Sequence, residues 1–172
     1  MKKYSTKDGR IVVVRQAEEN DVREVIDIMD SVASEGKYVP AVRISDAQKE
    51  SIAKSIREKA GLFAVAEIGG KIVGECNLSP KWFWSWSQHV VELGMNVRSD
   101  FRDIGIGKAM MDYMIDWAKK NGYEKISLSV FSTNKRAINL YKKFGFEIEG
   151  AKKREIKIGE EYVDEILMAL FL

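Results

Sequence analysis

Cysteine, histidine and proline are scarce in this 172-residue chain, at one, one and two residues. A single cysteine excludes a disulfide within the chain. A zinc site built from Cys and His lacks ligands, and no metal is expected. A Ser-His-Asp hydrolase would rest on His89 alone. Charge of one sign is also lacking: 28 Lys and Arg against 26 Asp and Glu leave a formal +2. That is too small for a dedicated nucleic-acid binder, which needs a concentrated basic surface. No segment approaches the roughly 20 apolar residues of a membrane span. The start, Met1-Lys2-Lys3-Tyr4 leading into Ser5-Thr6-Lys7-Asp8, lacks the apolar run of a signal peptide. Together with one reduced cysteine, this gives a cytoplasmic protein as the expectation.

The apolar fraction of 45% and the length fit one domain over 1–172, with 1–9 as a polar lead-in. Ile11-Val12-Val13-Val14 reads as a strand within 10–17. Asp21 can cap a helix, with Glu24 completing a capping box, and Val22, Val25, Ile26 and Met29 follow at helical spacing. Ser45 and Gln48 form a second such box before a helix ended by Gly61. Strands at 62–68 and 71–78 flank Gly69-Gly70, a hairpin signal. After Trp82-Phe83-Trp84-Ser85-Trp86 comes a strand at 89–97. Ile106, Met110, Tyr113, Met114 and Trp117 form the stripe of a helix stopped by Asn121-Gly122. A strand at 125–131, a helix at 135–144 and a last pair around Gly159 complete the order. Such mixed order predicts a mixed sheet with helices on both faces.

Between strand and helix lies Val97-Arg98-Ser99-Asp100-Phe101-Arg102-Asp103-Ile104-Gly105-Ile106-Gly107-Lys108. A helix N-terminus offers unpaired N–H groups and partial positive charge, so anions bind there. Gly105 and Gly107 keep Cβ atoms away from a ligand, while Arg102 and Lys108 add charge. A P-loop would need Ser or Thr where Ala109 stands, and a Rossmann turn would need Gly where Met110 stands. What remains is R-x-x-G-x-G, a turn suited to a pyrophosphate or simply a tight turn. Further on, Asn134, Ala137 and Tyr141 in N-x-x-A-x-x-L-Y-x-x-x-G-F share one helix face. A small Ala between polar groups lets a ligand lie there; the plainer role is an amphipathic helix with Asn134 as N-cap.

Together these stretches resemble the GNAT superfamily of acyl-CoA-dependent N-acyltransferases. The resemblance implies a V-shaped, mostly antiparallel mixed α/β sheet of about seven strands flanked by four helices. Acetyl-CoA would be the cosubstrate. Backbone groups of Met95 and Val97 would pair with pantetheine amides. The N–H groups of Arg102, Asp103, Ile104, Gly105, Ile106, Gly107 and Lys108 would wrap the pyrophosphate. Asn134 and Ala137 would contact the pantetheine arm, and Tyr141 would face the thioester sulfur. The resemblance also allows for a homodimer.

Such a reaction needs an amine to lose its proton before attacking a thioester carbonyl. A backbone N–H near Met95 could hold the resulting oxyanion, and a phenol such as Tyr141 stays protonated to receive the departing thiolate. Alternation puts Glu92 with Gly94 and Asn96, and Glu75 with Asn77. If these faces coincide, Glu92 and Glu75 can hold a cationic amine and relay its proton through water; otherwise they are solvated or structural. Some family members acting on protein N-termini carry a glutamate where Ser129 stands. Cys76 reads as a core residue, Lys152-Lys153-Arg154 as a solvated turn, and Trp84 as a wall of the acceptor pocket, a dimer surface or packing. The expected activity is acetyl transfer to the primary amine of a small molecule, an amino acid or polyamine, with no nucleic-acid or membrane partner. The alternatives are a protein or ribosomal-protein N-acetyltransferase and a non-catalytic acyl-CoA sensor.

Overall fold

The computed structural model describes residues 1–38, 43–81 and 85–172. Its strands are β1 (Lys2–Ser5), β2 (Ile11–Gln16), β3 (Leu62–Ile68), β4 (Lys71–Pro80), β5 (Val90–Val97), β6 (Lys125–Phe131), β7 (Glu147–Ile158) and β8 (Glu161–Phe171). Four α-helices accompany them among the described residues: α1 (Val22–Ala33), α2 (Asp46–Glu58), α3 (Ile106–Lys120) and α4 (Lys135–Lys143). The strands form one sheet in the order β1-β2-β3-β4-β5-β6-β8-β7. Every pairing is antiparallel except β5 with β6.

The sheet has one strand more than expected because Lys2–Ser5 is not a lead-in. It pairs with β2 from Lys2↔Val14 to Ser5↔Ile11. Lysines at this edge do not prevent pairing, since an edge strand is helped by charge that keeps other chains off.

Local chemistry explains most boundaries. Gly69 and Gly70 both have positive φ, +58° and +83°, as a tight β3–β4 turn requires. Ser45 Oγ accepts from the Gln48 N–H at 3.3 Å while Gln48 Oε1 accepts from the Ser45 N–H at 2.9 Å, a reciprocal box that starts α2. Asp21 acts differently from expectation. Its carboxylate does not cap α1; it receives Arg15 Nη1 at 2.6 Å and the Glu18 N–H at 2.8 Å, and so fixes the turn before the helix. At the end of α3 the Tyr123 N–H donates to Ala118 O and the Gly122 N–H to Lys119 O, a paired closure that satisfies the last carbonyls.

One face of the sheet packs on α3 and α4 through Ile106, Met110, Met114, Ile126 and Met168, and Cys76 lies buried in this layer. Each such apolar side chain contributes roughly 1.5–3 kcal/mol by leaving water. The other face packs on α1 and α2 through Val25, Ile28, Ile56, Val65 and Ile72.

Lys152-Lys153-Arg154 is not a turn. It lies within β7, where the ladder with β8 steps from Lys152↔Glu165 to Ile156↔Val163. The intervening residues form a bulge with Arg154 at φ +56°.

Candidate active site

The parallel ladder of β5 and β6 runs only from Val90↔Lys125 to Glu92↔Ser127. At its last rung the Ser127 hydroxyl donates to Val91 O at 3.3 Å. Beyond it β5 continues to Val97 and β6 to Phe131 without pairing, so the sheet opens as a V. The Arg98 N–H donates to Val73 O on β4 at 3.0 Å. Alternation along β5 then turns the backbone groups of Leu93, Met95 and Val97 away from β4, into the gap. Apart from Val97 O, which accepts from Arg102 Nε, this partly buried strand edge offers its donors and acceptors to a ligand that carries amides.

The gap is part of a cleft of about 1130 Å³. Met95 and Val97 line it from β5, and Arg102, Asp103, Gly105, Gly107 and Lys108 line it from the loop and first turn of α3. Gly105 has φ +106°, and a Cβ there would meet no atom within 4 Å, so the loop faces open space on that side. The first N–H groups of α3, from Ile106 on, have no carbonyl a turn earlier within the helix. Ile106 itself is buried and anchors that turn, and Ile104 packs against the core while its carbonyl accepts from the Lys7 N–H at 2.8 Å. This set fits a pyrophosphate.

Two members of the loop also hold the fold together. Arg102 is already engaged: Nε donates to Val97 O at 2.9 Å, Nη1 donates to Glu35 Oε2 at 2.7 Å, and Nη2 donates to Glu35 Oε1. Its own N–H donates to Ser99 O at 3.2 Å, so the N–H groups left for an anion begin after it. Arg102 therefore shapes the loop by tying it to the segment after α1. At Gly107 a Cβ would lie 3.1 Å from Leu140 Cδ2, so the absent side chain lets α4 approach α3. Arg98 is likewise spent on backbone, donating from Nε to Ile72 O at 3.3 Å.

Asn134, Ala137 and Tyr141 line the cleft from α4. Asn134 is the N-cap, its Oδ1 accepting from the Ala137 N–H at 3.2 Å. Tyr141 is 7% exposed and packs at 5.6 Å against the Phe146 ring. Burial pushes its phenol up to about 12, so it is protonated at neutral pH.

The carboxylates lie on the α1 face. Register puts Glu75 opposite Asn96, Asn77 opposite Gly94 and Ser79 opposite Glu92, so the two expected faces do coincide. The residues nevertheless lie apart. Glu75 is fully buried beneath Asn96, a cleft residue whose Nδ2 donates to Glu75 Oε1 at 2.6 Å. The Asn77 side chain lies over Gly94, where a Cβ would come within 2.5 Å of Asn77 Oδ1. Glu92 is at the closed end of the V, half exposed and 3.8 Å from Lys81 Nζ. None of these three side chains belongs to the cleft lining among the described residues. Trp84 lies outside the described residues.

Residues 25–146 match the sequence model of the acetyltransferase (GNAT) family. The chain belongs to that family. It is an acetyl-CoA-dependent N-acetyltransferase. It is 31% identical over 163 residues to an L-amino acid N-acetyltransferase of Escherichia coli, AaaT, covering 92% of this chain and 96% of that one. It is 32% identical over 127 residues to an N-alpha-acetyltransferase of Sulfolobus acidocaldarius, covering 66% of this chain and 71% of that one. Its fold is similar to yncA, a putative acetyltransferase from Salmonella typhimurium solved with acetyl-CoA, at a TM-score of 0.86 and 17% identity over 94% of each chain.

The cleft of this acetyltransferase is also lined by residues that local patterns did not single out. Lys7 arrives from the β1–β2 turn, Arg136 and Lys143 from α4, and Glu165 from β8. Lys7 sits in the stretch read as a lead-in, and only the pairing of β1 carries it to the loop. Glu35 follows the end of α1, and its partner Arg102 is 67 residues away, beyond the reach of a local pattern.

Proposed function

We propose that this enzyme acetylates the primary amine of a small molecule, an amino acid or polyamine-like amine, by direct transfer from acetyl-CoA. The observation that carries the reading is the match to the Escherichia coli L-amino acid N-acetyltransferase along nearly the full length of both chains. The cleft supports it, because it passes through the sheet and reaches the α1 face, where Val32 and Tyr38 line it.

Acetyl-CoA supplies an activated acetyl thioester. The chain's own groups would then act as follows. The first N–H groups of α3 and Lys108 hold the pyrophosphate. The backbone of Met95 and Val97 pairs with the pantetheine amides, and Asn134 and Ala137 border the same arm. The Met95 N–H stabilises negative charge on the acetyl oxygen. Tyr141, kept protonated by burial, gives its proton to the departing thiolate. Glu92, two residues along β5 from cleft-lining Gly94, accepts the amine's proton through water.

A second reading, acetylation of a protein N-terminus, draws on the shorter match to the Sulfolobus acidocaldarius enzyme. The test is turnover on a panel of free amino acids and polyamines beside peptides with free N-termini. Faster turnover on the small amines is expected. Turnover confined to peptides would replace the first reading by the second.

A further inference from the structure

We propose that Glu165 binds the positive charge of the acceptor, with Lys152 as the counter-ion that the acceptor displaces. This rests on the reading as a small-amine acetyltransferase and names how the acceptor is recognised.

Glu165 stands on β8 opposite Phe131 of β6 and Lys152 of β7. The register across β5, β6 and β8 puts it on the same face as Gly94, Asn96 and Ser129, the face that packs on α1. It lines the cleft there. The basic residues Lys7, Lys108, Arg136 and Lys143, together with Arg102, which is paired with Glu35, line the cleft from the phosphate-loop side and α4. The other acid among the described lining residues, Asp103, belongs to that side and faces Arg136 at 3.4 Å. Charge in the cleft is thus divided: positive where a pyrophosphate fits, negative on the acceptor face.

The carboxylate is built into place. Its side chain is 19% exposed, and Lys152 Nζ donates to Oε2 at 2.7 Å. Lys152 and the Ser129 hydroxyl both hold its titration below the ordinary range, so it is charged at neutral pH.

The β7 bulge follows directly after Lys152. The Arg154 N–H donates to Asp164 Oδ1 at 2.9 Å, and Lys153 Nζ donates to Asp164 Oδ2 at 2.9 Å. A bulge of this kind re-aims side chains; here Ile156, the first paired residue beyond it, lines the cleft beside Glu165. Lys152 is half exposed and has a second carboxylate, Glu155, at 3.7 Å. It can leave Glu165 without being stranded. A cationic acceptor takes over the same carboxylate, which stays charge-paired throughout.

The two sides of the ion pair make opposite predictions, which separates recognition from mere structure. With saturating acetyl-CoA, the KM for cadaverine and for pentylamine is measured in wild type, Glu165→Gln and Lys152→Ala. Glu165→Gln should raise the cadaverine KM about tenfold, as expected for loss of a charge-assisted contact. Lys152→Ala should lower it, because the competitor is gone. An effect on both amines makes the reacting ammonium the bound charge; an effect on cadaverine alone makes it the remote one, and either supports the proposal. A rise in KM in both variants, or no change in either, would overturn it. Calorimetric titration of cadaverine into wild type and Glu165→Gln in the presence of CoA reads the same contact without turnover; equal affinities would again overturn it. Acetyl-CoA affinity should be the same in all three proteins. If wild type binds acetyl-CoA and cadaverine but acetylates neither amine, the small-amine reading fails while the charge contact stands.

Discussion

Asn96 donates its side-chain amide to Glu75 Oε1 at 2.6 Å across the β4–β5 ladder, and Glu75 Oε2 is buried without a partner among the described residues. A carboxyl held this way resists ionisation. Burial pushes Glu75 up from 4.5 to about 7 against the smaller opposing effect of the Asn96 bond. The contact also orients Asn96, turning its Oδ1 away from Glu75.

The folded chain holds the Glu75 proton over a range where the unfolded chain has lost it. The favourable contribution is therefore complete below about 4.5 and is lost as pH rises through about 7. Glu75→Gln should flatten this slope, which is on the order of a few kcal/mol between pH 5 and 8. Urea unfolding at the two pH values measures it; an unchanged slope in the variant would remove Glu75 as its source.

Tyr141→Phe removes only a hydroxyl from a ring that packs on Phe146. It should lower kcat about a hundredfold, within the range for loss of a general acid, and leave acetyl-CoA affinity in place. Because the phenol titrates at about 12, wild type should show no tyrosine limb in its pH–rate profile at neutral pH. Undiminished kcat in Tyr141→Phe would take the acid role from this residue.

Arg102 and Glu35 are partly buried, at 14% and 24% side-chain exposure, and act as one unit. Arg102→Ala and Glu35→Gln should each loosen the loop, and the double variant should cost less than their sum by about 1–2 kcal/mol. Thermal melts of the four proteins give this coupling. Additive losses would mean that the two residues work separately.

How much of this was legible beforehand depended on the range of the contacts. The hairpin at Gly69-Gly70, the Ser45–Gln48 box and the Asn121-Gly122 stop are set by residues a few positions apart, and they stand in the structure as read. The β5-to-α3 loop was legible for the same reason. β1 was not, because Lys2-Lys3-Tyr4-Ser5 has no apolar alternation and is a strand only through its pairing with β2. Asp21 lost its expected cap to Arg15, an ion pair invisible to capping rules. Lys7 and Glu165 reach the cleft by topology, and Glu35 reaches the loop through Arg102; these are long-range contacts that the local pattern does not carry. Gly107 shows the converse: the motif marks the position, while its nearest constraint is Leu140 on another helix.

Glu92 lies at the closed end of the V with Lys81 as its neighbour. As a base acting through water it should matter most where the acceptor is protonated. Glu92→Gln should therefore lower kcat/KM mainly below the acceptor's pKa and little above it. A pH–rate profile parallel to wild type would return Glu92 to a surface role.

The proposed reaction is direct acetyl transfer from a cofactor seated in the β5–β6 gap to a small amine. Mass spectrometry of a reaction containing the chain, acetyl-CoA and a mixture of amino acids and polyamines tests it most directly. The expected result is an N-acetylated amine formed one-to-one with free CoA, and a protein that carries no acetyl group at any time point. Acetyl-CoA bound but no amine acetylated, or an acetylated protein that forms before the product, would contradict it.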